Sequence, residues 1–147
     1  MSPAAHAAET KSLVVLQDAP VLASHPDPDF KPNTTGAVVF FGADLRNTKG
    51  KKIGNLMGQL TTFDVTLDGV EDEDRFRELV FRFKDGQVIV LGASEYQRTE
   101  VPNFADDNAP VTAAIVGGTG KYAGARGTVT TKKRANGTYK HTFTFMQ

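Results

Sequence analysis

Short runs of β-branched and aromatic residues recur along the chain and are separated by Gly, Pro, Asn and Asp. Within the runs, apolar and polar positions alternate, and this alternation is typical of β-strands. No segment shows a helical period over about 11 residues. The pattern predicts eight strands, at residues 12–17, 37–46, 52–67, 76–84, 87–96, 111–116, 122–134 and 138–146.

Turn signals between these runs predict how the strands connect. Asp85-Gly86 and Asn136-Gly137 favour tight hairpin turns, and residues 47–50 predict another. Eight short antiparallel strands in one domain predict an all-β, closed barrel, because closure removes exposed strand edges. Such a barrel is either filled by side chains or holds one small ligand.

The ends and connections of the barrel follow from composition. We expect a disordered tail at residues 1–11 and a single barrel domain at residues 12–147. Proline-rich residues 25–32 predict an irregular connection, and acidic residues 68–75 predict a solvated turn. A short turn of helix is expected near residues 101–108.

A glycine-rich stretch at residues 115–129 raises the question of phosphate binding. A P-loop requires Ser or Thr after Gly-Lys and a Gly five residues before that Gly, but Tyr122 and Ile115 occupy these positions. A dinucleotide fingerprint requires a following helix, whereas the β-branched sequence TVTTKKR follows here. The stretch therefore predicts a tight strand–turn–strand corner.

Composition and charge exclude several function classes. Lys plus Arg and Asp plus Glu both number 17, so no net field attracts nucleic acid or an anionic membrane. Without Cys, neither a thiol nucleophile nor a thiolate metal site can form, and three His residues make a multi-histidine metal site unexpected. With no basic start or apolar segment of a secretory signal, we expect a cytoplasmic location.

Three segments carry a resemblance to a known family. GGTGKYAGARGTV, at residues 117–129, resembles a glycine signature shared by allene oxide cyclases and plant dirigent proteins. Residues 36–60, GAVVFFGADLRNTKGKKIGNLMGQL, resemble a cyclase strand pair, and residues 74–96, DRFRELVFRFKDGQVIVLGASEY, resemble the next hairpin. The resemblance implies an eight-stranded, lipocalin-like barrel that is commonly trimeric and needs no metal or organic cofactor.

The resemblance also implies activities for such a barrel. Allene oxide cyclases close a short-lived fatty-acid epoxide into a cyclopentenone, and dirigent proteins guide phenoxy radicals or quinone methides. We expect a largely apolar small organic substrate and a homo-oligomer, either a trimer or a dimer.

Several functional residues of the family are replaced by other residues at the matching positions of this chain. The cyclase Glu and Asn of the first strand fall at Val15 and Gln17, and the cyclase Cys of the third strand falls at Leu60. These departures favour an altered substrate or a binding role.

Two further positions come from the second strand and from the glycine motif. The cyclase Asn, or dirigent Asp, of the second strand falls at Ala43 or Gly42, and Asp44 lies one residue away. Asp44 would inherit the role only beside a bulge, because an offset of one residue turns a strand side chain to the other face. Arg126 matches the Arg of the dirigent Ala-Arg-Gly motif, and ion pairing at the barrel rim is its structural alternative.

The last strand supplies further candidates. Tyr139, His141, Phe143 and Phe145 alternate onto one face, which would place a phenol and an imidazole in an apolar pocket. His141 could transfer a proton near neutral pH, or could be a satisfied core residue. Glu78 and Arg82 are expected on the outer surface or in a cross-strand pair. The predicted catalytic residues are Arg126, Tyr139, His141 and Asp44, and the predicted substrate-binding residues are Gln17, Phe41, Ala43, Leu60, Tyr96 and Phe143.

The sequence favours the first of three functions. The first is a cofactor-independent cyclase or isomerase that directs stereoselective ring closure. The second is a non-catalytic, dirigent-like or carrier barrel, and the third is a filled barrel that serves as an oligomerisation module. A cavity of roughly 300 Å³ is typical of small-molecule sites and would disfavour the third.

Overall fold

In the computed structural model, the chain is described at residues 10–23, 29, 31, 34–64, 72–97 and 110–146. These residues form a single antiparallel sheet with one short 3-10 turn. Within them no helix is long and apolar enough to cross a membrane. The strands of the described residues are β1 (Thr10–Gln17), β2 (Val21–Leu22), β3 (Val38–Arg46), β4 (Lys52–Asp64), β5 (Asp72–Phe83), β6 (Gly86–Gln97), β7 (Val111–Gly118), β8 (Gly127–Lys133) and β9 (Tyr139–Met146).

The sheet closes on itself as an eight-stranded antiparallel barrel, which confirms the predicted fold. The strand order is β1-β9-β8-β7-β6-β5-β4-β3, and β1 pairs again with β3. The two-residue strand β2 adds to β3 and was not predicted from the sequence. The Asp85-Gly86 and Asn136-Gly137 turns connect β5 to β6 and β8 to β9, as expected.

The seam of the barrel is short and is reinforced by side chains. Only Leu16↔Arg46 and Gln17↔Leu45 pair β1 with β3 among the described residues. Beside them, Arg46 donates from Nε and Nη2 to the Asp18 carboxylate, both at 2.9 Å. These hydrogen bonds from Arg46 lower the pKa of Asp18. The seam thereby fixes the backbone of Gln17, whose side chain points into the barrel.

The core lies inside the barrel because alternate residues of each strand point inward. Phe81 lies within it, edge-on to Phe143 at 4.8 Å and to His141 at 4.9 Å between ring centroids. The buried apolar side chains are Val15, Val39, Phe41, Leu45, Leu56, Leu60, Leu79, Phe81, Val88, Val90, Ala113, Ile115, Val129, Tyr139 and Phe143.

The glycine-rich stretch forms a corner that packs on the β5–β6 hairpin. The Lys121 N–H donates to the Asp85 carbonyl and the Thr119 N–H to that of Gln87, both at 2.9 Å. Gly120 has φ +60°, and a Cβ there would collide with the Asp85 carbonyl oxygen. The backbone N–H groups of Thr119 and Lys121 are therefore occupied within the chain.

The corner corrects one predicted strand. Residues 122–134 do not form one continuous strand, because Gly120–Tyr122 is a 3-10 turn and β8 begins only at Gly127. The Tyr122 ring lies 5.5 Å from Phe83 and 6.1 Å from Phe145 between centroids and closes this end of the barrel.

Other predicted boundaries shift or fall outside the described residues. β1 begins at Thr10, inside the expected tail. β5 begins at Asp72, so residues 72–75 belong to a strand and not to a solvated turn, and Arg75 is buried. The predicted helical turn at 101–108 and most of the irregular connection at 25–32 lie outside the described residues.

Candidate ligand site inside the barrel

A small cavity lies inside the barrel. Its volume is about 20 Å³, which is enough for about one water molecule. It is therefore far smaller than the roughly 300 Å³ of a typical small-molecule site. The residues around it are Gln17, Phe41, Leu56, Leu60, Arg77, Leu79, Val111, Thr131, Tyr139 and His141.

Strand register brings the polar members of this lining together. Gln17 pairs with Tyr139 across β1 and β9, and Thr131 pairs with His141 across β8 and β9. All four side chains are buried. Arg77 lies on β5 and, like Leu79 and Phe81, points to the inside of the barrel. The cavity therefore has both polar and apolar walls.

His141 is held by two hydrogen bonds. Its Nε2 lies 2.8 Å from Gln17 Oε1, and its Nδ1 lies 2.8 Å from Thr131 Oγ1. Because an amide oxygen only accepts, Nε2 carries the proton and donates. In the neutral ring Nδ1 then accepts from the Thr131 hydroxyl, so the imidazole has one defined tautomer.

The surroundings of His141 keep the ring neutral. Its side chain is 1% exposed. Burial, with a contribution from the Arg77 charge, lowers the pKa of His141 from 6.5 to about 3. Such a weak base argues against the predicted proton transfer near neutral pH.

Arg77 is the charged member of the lining. It is 6% exposed, and its Nη1 has no hydrogen-bond partner within the described part of the chain. None of the salt bridges between described residues includes it. A buried guanidinium is costly unless its donors are satisfied, so Arg77 Nη1 needs an acceptor that the described residues do not supply.

Several residues predicted for the site line the cavity. Gln17, Phe41, Leu60, Tyr139 and His141 all do so. Their roles as catalytic or substrate-binding residues stay predictions.

Two further predicted residues lie on inward positions without lining the cavity. Phe143 is fully buried and packs between Phe81 and Phe145 in the core. Ala43 is half-buried, two residues along β3 from Phe41.

The structure does not bring Asp44 and Arg126 to the cavity. Asp44 follows Ala43 on β3 and turns to the outer face, where it pairs with Lys52 at 2.9 Å. The β3–β4 register does shift nearby, between Leu45 and Arg46, but the extra residue is Ile53 on β4, so the alternation along β3 is unchanged and Asp44 stays on the outer face. Arg126 is exposed and lies before β8, so it is not on a strand of the barrel.

Tyr96 is the remaining predicted residue. Its backbone lies in β6 opposite Glu73. Its side chain lies outside the part of the chain that the structure describes.

Arg77 and Thr131 were missed from the sequence. Leu79, Phe81 and Phe83 lie on one face of β5 because side chains alternate along a strand. Continuing this alternation toward the start of the strand places Arg77 on the same inner face. Val129 gives the same signal for Thr131 on β8. Glu78 and Arg82 lie exposed on the outer face, as expected.

Metal binding finds no support in the described residues. No three His, Cys, Asp or Glu side chains among them come close enough to hold an ion. His141, the one described His, already has a hydrogen-bond partner at each nitrogen.

Comparisons with known proteins identify the fold. No protein-family model matches the chain, and no curated protein matches it significantly. Among solved structures, a pyocyanin demethylase is similar at 26% identity and a TM-score of 0.61, with 92% of this chain and 98% of that chain covered.

Two further solved structures are more distant in sequence. A pterocarpan synthase dirigent protein is 18% identical, with a TM-score of 0.63 and with 95% of this chain and 85% of that chain covered. A Diels–Alderase from Streptomyces koyangensis is 11% identical, with a TM-score of 0.66 and with 98% of this chain and 71% of that chain covered. The chain thus has the barrel fold found in dirigent proteins and Diels–Alderase cyclases.

Proposed function

We propose that this chain is a cofactor-independent cyclase or isomerase of the allene oxide cyclase type. It would bind a reactive, largely apolar small molecule inside the barrel and direct its ring closure to one stereochemical product. The observation that carries this proposal is a set of buried polar groups around an interior cavity whose other walls are apolar. Few polar fixing points in an apolar site are typical of small-molecule binding.

The chemistry available to these side chains is positioning and charge stabilisation. The hydrogen bonds to Gln17 and Thr131 fix the His141 ring, and its low pKa leaves it a neutral group. Arg77 brings a fixed positive charge to the same cavity. In this proposal, an intermediate held against these groups reacts from one conformer, and Arg77 stabilises negative charge that develops on its oxygen.

Substrate entry requires the cavity to enlarge from about 20 Å³. Phe41 is the lining residue best placed to move, because its ring lies over Gly58, which has no side chain to hold it. Rotation of Phe41 would add the space of its ring to the cavity.

The small volume alone favours a filled oligomerisation module. The polar lining favours a ligand, because a module gains nothing from a buried guanidinium with an unpaired donor. The unpaired charge outweighs the small volume, since side chains can move whereas an unpaired buried charge costs stability in every conformer that retains it.

A dirigent-like or carrier barrel is the second candidate. The observation that favours it is the neutral, doubly hydrogen-bonded His141, which leaves the cavity without a general base that titrates near neutral pH. Such a barrel would orient a radical or quinone methide made by another enzyme.

The experiment that tests the proposal supplies labile intermediates to the purified chain. A fatty-acid allene oxide and a quinone methide are each generated in its presence, with no oxidase added, and products are resolved by chiral chromatography. A cyclase shifts the enantiomeric ratio and accelerates ring closure. A ratio and rate equal to those without protein, for both intermediates, would contradict the proposal.

A further inference from the structure

We propose that the interior site takes an apolar molecule that carries an anionic oxygen, such as a carboxylate, phenolate or enolate, and that Arg77 Nη1 donates to that oxygen. This inference deepens the proposed function, on which it rests for the idea that the cavity is a ligand site. It names a substrate class narrower than an apolar small molecule.

The first support is the state of Arg77 itself. The side chain is 6% exposed and lines the cavity, and its Nη1 has no hydrogen-bond partner among the described residues. A donor that is buried and unpaired costs free energy until an acceptor arrives. A ligand oxygen in the cavity is such an acceptor.

The second support is that two acceptors in the lining, Gln17 Oε1 and His141 Nδ1, already accept from donors other than Arg77. Gln17 Oε1 accepts from His141 Nε2, and His141 Nδ1 accepts from the Thr131 hydroxyl. These two acceptors bond to other groups of the cavity wall and not to Arg77, whose Nη1 stays without a partner among the described residues.

The third support comes from the adjacent strand. Arg77 pairs with Gly92 on β6, which has no side chain to offer an acceptor. Two residues further along, on the same inner phase, Ser94 Oγ is buried and also has no partner. Arg77 Nη1 and Ser94 Oγ are thus two buried polar groups on this inner surface without a hydrogen-bond partner among the described residues.

The remaining walls define the rest of the ligand. Phe41, Leu56, Leu60 and Leu79 present apolar surface to the cavity. An apolar skeleton bearing one acidic oxygen matches both parts of the lining, because a guanidinium forms its strongest hydrogen bonds with anionic oxygen.

A pair of matched probes tests this inference on the full chain. Binding of 2-naphthoate and of its neutral methyl ester is measured by isothermal titration calorimetry with wild type, Arg77→Met and Arg82→Met. Arg82 lies on the same strand but is exposed on the outer face, so its variant controls for the loss of one charge. We expect wild type and Arg82→Met to bind the acid about 10-fold to 100-fold more tightly than the ester, and Arg77→Met to lose this preference.

Thermal unfolding without ligand gives a second readout. If only a bound ligand compensates the charge of Arg77, Arg77→Met removes an uncompensated buried charge and raises the melting temperature relative to Arg82→Met. A lower melting temperature would show that Arg77 is already paired within the chain and would overturn the inference.

The binding outcomes separate this inference from the proposed function. Equal affinity of wild type for the two probes, binding of neither probe, or an unchanged acid preference in Arg77→Met each overturns the inference. If the enantiomeric ratio nevertheless shifts with the intermediates above, the cyclase proposal stands without it. A clear acid preference with no effect on products would instead leave a binding barrel.

Discussion

At the scale of single residues, His141 shows how burial changes what a side chain can do. Its position on the last strand is predictable from alternation with Tyr139 and Phe143, and these side chains lie inside the barrel. Its protonation state was not predictable, because it depends on Arg77 and on burial by other strands. The same imidazole that titrates near neutral pH in water is here a neutral hydrogen-bonding group.

The low pKa of His141 predicts how stability depends on pH. The unfolded ring has a pKa near 6.5, and the folded one near 3. Between these values the unfolded chain binds the additional proton, so the free energy of unfolding falls as the pH drops, by up to about 1.4 kcal/mol per pH unit from this group. Urea unfolding between pH 7 and pH 4 should show this loss in wild type.

The His141→Asn variant isolates the contribution of this ring. The free energy of unfolding of wild type minus that of the variant should shrink as the pH falls below about 6.5, since His6 and His25 are common to both chains. A difference that stays constant with pH would contradict a buried, neutral His141. NMR titration of the ring gives a direct check, because its signals should not move between pH 8 and pH 5.

Arg77 illustrates why part of the site escaped sequence reasoning. Phe76 and Val80 on the outer face of β5 are as apolar as Leu79 and Phe81 on the inner face. Apolar residues therefore mark both faces of β5, and in the sequence only the expected outward positions of Glu78 and Arg82 separate the two faces. In the structure, the inner face is the one that packs against β9 across the barrel, where Phe81 contacts His141 and Phe143.

At the scale of elements, the glycine-rich corner shows which turns can be predicted from the local sequence and which depend on tertiary contacts. Asp85-Gly86 and Asn136-Gly137 are local turn signals, and they predicted their hairpins correctly. The bend at Gly120 depends on contact with the Asp85 carbonyl of another hairpin, which no local pattern reveals. For that reason residues 122–126 were wrongly predicted as strand.

Two glycines of this corner give a matched pair of variants. Gly120 and Gly124 both have positive φ, at +60° and +77°, but only at Gly120 would a Cβ meet backbone atoms. Gly124→Ala should cost about 1 kcal/mol of unfolding free energy from backbone strain alone. Gly120→Ala should cost about 1–3 kcal/mol more, because the β5–β6 hairpin must shift.

Chemical denaturation of the two variants measures this difference. Gly117→Ala serves as the control, since Gly117 has no positive φ and nothing within 4 Å of an added Cβ. Equal losses at Gly120 and Gly124 would show that the corner does not depend on close packing against Asp85.

At the scale of the whole molecule, strand number and spacing were enough to predict a closed barrel. Its interior volume was not predictable, because it depends on how side chains from all strands interlock. The small cavity is therefore a property that only the assembled barrel reveals.

The outer surface of the barrel carries a candidate interface for the expected homo-oligomer. Met57, Val80 and Ile89 form a row across β4, β5 and β6, with Leu91 beside it, and Met57, Ile89 and Leu91 are exposed. We propose that a second copy of the chain covers this face, since exposed apolar side chains that adjoin on one face of a sheet mark interaction sites. Light scattering after size exclusion should give a dimer or trimer for wild type and a monomer for Ile89→Glu.

The control for this prediction is Lys140→Glu, at an exposed position of β9. It should leave the oligomer intact, because it lies away from the apolar row. A wild-type chain that is monomeric at all concentrations, or an Ile89→Glu variant that still assembles, would be inconsistent with this interface.

The decisive measurement is the enantiomeric ratio of products from a labile intermediate with wild type, Tyr139→Phe and Arg82→Met. Tyr139 lines the cavity, whereas Arg82 lies on the outer face of the barrel. If the interior directs the reaction, wild type and Arg82→Met give the same shifted ratio and folded Tyr139→Phe gives a different one. A ratio that no variant changes, or that matches the reaction without protein, would show that the interior of the barrel does not direct the reaction.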